Sequence, residues 1–175
     1  GHWRLERGDR ARLFDFAATP ESWKRYLHPP EACLWRARAT RAGLEFDAAE
    51  EPPPPYAFLG VRACDIRALQ ILDRVLAYQP HDDGDYLRRR HAAWIIAVDC
   101  LRPGETCFCA SMSAGPRVQA GFDLALTELP SDEGPRLLLR AGSERGARLV
   151  EKLAAPLASD DELASAEAAR RAAEG

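Results

Sequence analysis

The sequence predicts an α/β fold: a single domain with a mixed or mostly parallel sheet flanked by helices, and cysteine-bearing loops at the carboxyl ends of strands. The first observation behind this is a pair of short apolar runs of strand length, "YAFLGV" (56–61) and "WIIAVDC" (94–100). Between them "IRALQILDRVLA" (66–77) spaces Ile66, Leu69, Ile71, Leu72, Val75 and Leu76 as a helix packed on a sheet does. The second is that each run leads to a cysteine, Cys64 and Cys100, and ligand sites in parallel α/β sheets form beyond the carboxyl ends of strands. The third is size: a chain of 175 residues buries roughly 70% of its unfolded surface in one core and needs no disulfides to do so.

The elements follow in order. Thr19, Pro20 and Glu21 read as an N-cap, a first-turn proline and an acid, predicting a helix through Trp23, Tyr26 and Leu27 that stops at "HPP" (28–30). "CLWRARAT" (33–40) alternates apolar and charged residues as a half-buried strand does, with Cys33 as a small buried hydrophobe. "EEPPPP" (50–55) is too rich in proline for a helix or central strand and reads as a flexible, extended connector.

"RACD" (62–65) reads as a turn between the first strand and its helix. After an acidic "HDDGD" (81–85), "YLRRRHAAW" (86–94) is a basic helical stretch whose Arg88, Arg89 and Arg90 fit a solvated face, or a surface for an acidic redox partner. "GFDLALTEL" (121–129) and "PRLLLRAGS" (135–143) read as further strands, and "SERGARLVEKLAA" (143–155) as a helix capped by Ser143. The tail has Ser159 as an N-cap and acids in its first turn; such a helix is marginal by itself. The expected division is an α/β domain over 1–157 and a helical linker over 158–175.

A formal net charge of −3 offers no broad basic field, so nucleic acid is not an expected partner. No apolar run approaches the roughly 20 residues needed to cross a bilayer, and the opening "GHWRLERGDR" has no apolar signal core. A cytoplasmic protein without membrane insertion is expected. In that compartment stable disulfides are rare, and five cysteines cannot all pair. "GVRACD" lacks a phosphate-binding glycine pattern.

The chemistry concentrates in "CLRPGETCFCASMSAGP" (100–116), where Cys100, Cys107 and Cys109 form a C-x6-C-x-C block. C-x-C is not the redox C-x-x-C pair, and paired zinc knuckles carry C-x2-4-C twice. With Cys64 as a fourth donor, four thiolates satisfy tetrahedral zinc or an iron–sulfur cluster by count. The irregular spacing favours the cluster, whose separated irons accept ligands from different loops, and the small residues after Cys109 offer backbone N–H groups to an anionic centre. A structural zinc module that docks partner subunits is the alternative. A cysteine enzyme with Cys64 or Cys107 as nucleophile is a third reading, for which no histidine lies close in sequence. His28, His81 and His91 share no metal-site spacing. Asp65 and Asp99 fit capping or turn roles better than catalysis.

"LGVRACDIRALQILDRVL", "AWIIAVDCLRPGETCFCASMSAGP" and "GFDLALTEL", in this order, resemble the beta subunits of sulfhydrogenases and other nickel–iron hydrogenases, and the A subunit of anaerobic sulfite reductase. The resemblance implies an iron–sulfur electron-transfer protein whose partners are other redox subunits of such a complex. It implies a [4Fe–4S] cluster on Cys64, Cys100, Cys107 and Cys109, because the family's "RPCD" cysteine falls on Cys64 and its cysteine block on the other three. It also implies that a ferredoxin-like part usual in the family is missing here. Two departures stand near the site: Ala63 replaces the family's proline, and Ser113 and Ala114 replace Gly and Thr of "SMGTGP".

Overall fold

Four strands form the central sheet, in the order β3 (Ala57–Val61), β4 (Trp94–Val98), β5 (Leu124–Leu129), β6 (Arg136–Ala141). The first three run parallel and β6 pairs antiparallel with β5, so the predicted mostly parallel α/β sheet is what this computed structural model contains. The structure describes residues 12–16, 22–48, 54–78, 80–129, 131 and 134–174. Around the sheet lie the helices α1 (Lys24–Leu27), α2 (Ala63–Leu76), α3 (Gly84–Ala92), α4 (Glu144–Leu153) and α5 (Asp160–Glu174). A separate hairpin joins β1 (Trp35–Thr40) to β2 (Gly43–Ala48).

The strand β4 shows why its run is continuously apolar. Successive side chains point to opposite faces, and both faces are covered. Ile95 and Ala97 enter a core with Phe58, Val61, Ile66, Leu69 and Tyr86, while Val98 joins Leu124 and Leu126 on the other face, against Leu137, Leu139, Leu149 and Val150. Parallel strands need a long crossover, usually helical. Between β3 and β4 that crossover is α2 and α3. Between β4 and β5 it is the irregular segment 99–123, which contains no helix.

At the far end of the sheet, Asp123 ties three elements together. Its Oδ2 accepts from the Ile95 N–H at 2.9 Å, and its Oδ1 from the Ser143 hydroxyl at 2.7 Å and Arg145 Nε at 2.6 Å. Ser143 caps α4 as predicted, accepting from the Gly146 N–H at 3.1 Å. Asp123 is buried, which alone would raise its pKa, but Arg145, the Ile95 N–H and Ser143 outweigh that and hold the carboxyl below its ordinary 3.8. Gly146 is required for the same approach: a Cβ there would stand 1.8 Å from the Asp123 carbonyl oxygen.

Several expectations are corrected. α2 begins at Ala63, so "RACD" is the helix start and Cys64 lies in its first turn. Asp65 makes this start possible by accepting the Arg62 N–H at 3.1 Å, three residues back, a cap of the expected kind. On α2, Ile66 and Leu69 are buried with Leu72 and Leu76 packed behind them, whereas Ile71 and Val75 lie off this stripe and are exposed. The β1 strand is exposed along almost its whole length, because among the described residues it pairs only with β2, and Cys33 just before it is exposed too. Trp35, Leu44 and Phe46 share the hairpin's uncovered face.

The Thr19–Glu21 cap and residues 50–53 of the proline stretch lie outside the described residues; α1 does end at Leu27, before "HPP". The basic stretch is partly paired inside the protein: Arg90 reaches Asp73, which also accepts from the Tyr86 hydroxyl, and Arg88 meets Asp85. Ser159 begins α5 in a reciprocal cap, its Oγ accepting the Glu162 N–H at 3.3 Å while Glu162 Oε2 accepts the Ser159 N–H at 2.8 Å. The helix packs on β5 and β6 with Ala166, Arg170 and Ala173 buried.

Candidate functional site

Cys64, Cys100, Cys107 and Cys109 all line one cavity of about 490 Å3 at the carboxyl ends of β3 and β4. Helix α2 presents Cys64 from its first turn. β4 runs through Asp99 into Cys100, and the loop that follows brings up Cys107 and Cys109. None of the four is in a disulfide. Cys33 is not part of this lining.

The loop is held by its own backbone. The Cys100 N–H donates to the Pro116 carbonyl at 3.1 Å, and the N–H groups of Met112 and Ala114 donate to the Cys109 carbonyl at 3.2 and 2.8 Å. The Gly104 N–H donates to Cys107 Sγ at 3.2 Å, an N–H···S contact of the kind that tunes metal–thiolate centres. Ser113 takes a positive φ of 50° and Gly115 one of 147°. Asp99, which the sequence assigned to a cap or turn, is instead a buried hub: its Oδ1 accepts from the Val118 N–H at 2.9 Å and its Oδ2 from the Thr127 hydroxyl at 2.7 Å.

The electrostatics suit an anion. Arg62, Arg67 and Arg102 line the cavity, and the first turn of α2 adds its partial positive charge. Arg62 is fixed by donating to the carbonyls of Asp99 at 3.4 Å and Phe14 at 2.8 Å. These arginines were not singled out from the sequence, although Arg62 and Arg102 each stand two residues from a cysteine. The wall is otherwise apolar, with Ile71, Phe108 and Met112 exposed at its rim.

Thiols brought this close interact. Although Cys64 is exposed as a residue, burial of its sulfur pushes the thiol above its ordinary 9.0, and the charges of Asp65 and Cys109 add to this. Burial also raises Cys100, with Cys107 and Cys109 adding and Arg62 opposing. A nucleophilic cysteine needs the reverse shift and a base, and among the described residues no histidine lines the cavity. His28 instead faces Asp83 at 3.6 Å.

The donors can be tested against the two metal readings. Tetrahedral zinc holds sulfur at about 2.3 Å, which gathers its ligands tightly around one point. Among the described residues no three His, Cys, Asp or Glu side chains are grouped to hold a single metal ion. The four thiols, the Gly104 N–H···Sγ contact and the lining arginines fit an anionic thiolate centre by donor type and charge.

Fold and cavity together define an α/β domain with four thiols gathered at the carboxyl edge of a mostly parallel sheet. The chain is a distant homologue of sulfhydrogenase 2 subunit beta of Pyrococcus furiosus, 34% identical over 130 residues, which make up 73% of this chain. It spans 37% of the length of that relative. No family model and no solved structure matches the chain. Among the described residues no helix is long and apolar enough to cross a membrane.

Proposed function

We propose that this chain is an iron–sulfur electron-transfer subunit of a cytoplasmic oxidoreductase complex of hydrogenase, sulfhydrogenase or sulfite reductase type, holding a [4Fe–4S] cluster on Cys64, Cys100, Cys107 and Cys109. The single observation that carries the reading is that the four cysteines line one cavity, in a chain homologous to a sulfhydrogenase beta subunit. Bound there, such a centre supplies one-electron transfer with no bond made on a substrate. The chain's own residues do the rest. The cysteines bind, Gly104 hydrogen-bonds one sulfur, the three arginines offset anionic charge, and the apolar rim limits water. On this reading 1–157 is the cluster-binding unit and 158–175 a helical link, seated on the sheet, toward a ferredoxin-like part.

Cysteine-to-serine variants test the ligand set. Cys64→Ser, Cys100→Ser, Cys107→Ser and Cys109→Ser are each expected to lose iron and sulfide, and Cys33→Ser to keep both. Full retention in any of the four removes that residue from the set. The alternative is a structural zinc module, which zinc bound without sulfide in the wild type would favour.

A further inference from the structure

The last helix grips both sides of the Cys100 loop. Asp99 and Cys100 form the outgoing side, and Pro116, Arg117 and Val118 the returning side. On α5, Arg170 Nη1 lies 3.3 Å from both Asp99 Oδ2 and Thr127 Oγ1. Its Nη2 donates to Glu167 Oε2 at 2.9 Å, and the same Glu167 oxygen lies 3.5 Å from Arg117 Nη1. Asp99, Arg170, Glu167 and Arg117 therefore form a chain of alternating charge that reaches from one side of the loop to the other. The loop closes it from within: Cys100 N–H donates to the Pro116 carbonyl, and Val118 N–H to Asp99.

Asp99 is 2% exposed and Arg170 8%. A buried ion pair is a weak source of net stability, since desolvating both charges offsets most of their attraction. What it does supply is a defined geometry. Here that geometry is imposed on the residue immediately before Cys100, by a helix some seventy residues further along the chain.

We propose that Arg170 is a positioning residue for Cys100: through Asp99, α5 sets where that thiol stands. The redox consequence rests on the cluster reading above; the positional consequence does not. Arg170 balances the buried Asp99 carboxylate one residue before Cys100, so its removal leaves negative charge uncompensated there and makes reduction harder.

The test uses the full chain with Arg170→Met, Arg170→Lys and, as a control, Arg136→Met. The control frees the first turn of α5 from its contact with Glu162 and leaves the Cys100 loop untouched. In metal-free protein, amide exchange at Cys100 and Val118 is expected to quicken about tenfold in Arg170→Met. It should return most of the way in Arg170→Lys and stay unchanged in Arg136→Met. In cluster-loaded protein the midpoint potential should move to more negative values in Arg170→Met and lie near wild type in Arg170→Lys.

Unchanged exchange at both amides in Arg170→Met overturns the proposal. So does an equal acceleration across the whole sheet, or the same effect from Arg136→Met. If the wild type takes up no iron, the cluster reading fails and the exchange measurement still decides the positional claim. If Arg170→Met does not fold, Glu167→Gln takes its place: faster exchange at Val118 supports the proposal, and wild-type exchange overturns it.

Discussion

Gly115 packs directly against Cys109: a Cβ at position 115 would stand 3.6 Å from Cys109 Sγ and 3.0 Å from the Ala63 Cβ, beside Cys64. The two segments that supply these cysteines therefore meet across a residue with no side chain. Its φ of 147° is also one that residues with a Cβ rarely adopt.

Gly115→Ala is accordingly expected to cost about 1–3 kcal/mol of folding stability and to lower the iron content of anaerobically reconstituted protein. Thermal unfolding and iron analysis check the two effects separately. A variant with wild-type stability and full iron would show that the close approach is not needed.

Gly146→Ala acts far from the cavity. Its Cβ would collide with the Asp123 carbonyl, a backbone atom that cannot turn aside. A loss of at least about 1–3 kcal/mol is expected, read as a lowered denaturation midpoint. Any cluster in the surviving folded fraction should have an unaltered spectrum.

Asp123 makes the stability depend on acid. Its carboxyl is held below 3.8 in the folded protein, so the stability it contributes is complete above that value and is lost as pH falls through the folded-state pKa. Tm of the metal-free wild type should fall on acidification below about pH 4. Asp123→Asn should be less stable at neutral pH by about 1–3 kcal/mol and show a shallower acid decline. Parallel pH profiles of Tm for the two proteins would count against this role.

The sheet and the meeting of Cys64 with the Cys100 loop at one cavity were legible from the sequence because β3, α2 and β4 carry strong local patterns and because Cys64 and Cys100 follow apolar runs. Other features were not legible, each for a physical reason. Alternation in "CLWRARAT" shows that a strand has two unlike faces, and says nothing of whether a core covers one; hence the exposed Cys33 and Trp35. Asp99 read as a cap or turn residue because it stands where a strand run ends, yet its partners Val118, Thr127 and Arg170 lie 19, 28 and 71 residues away. Arg170 is one of two adjacent arginines in an alanine-rich, otherwise acidic helix. Only the packing of α5 on β5 and β6 makes it a buried one.

Iron, zinc and acid-labile sulfide analysis of anaerobically purified protein, with EPR spectra before and after dithionite, decides between the cluster and zinc. A bound [4Fe–4S] cluster requires about four iron and four sulfide per chain, with a spectrum that changes on reduction. Zinc without sulfide, persisting after anaerobic reconstitution with iron and sulfide, would contradict it.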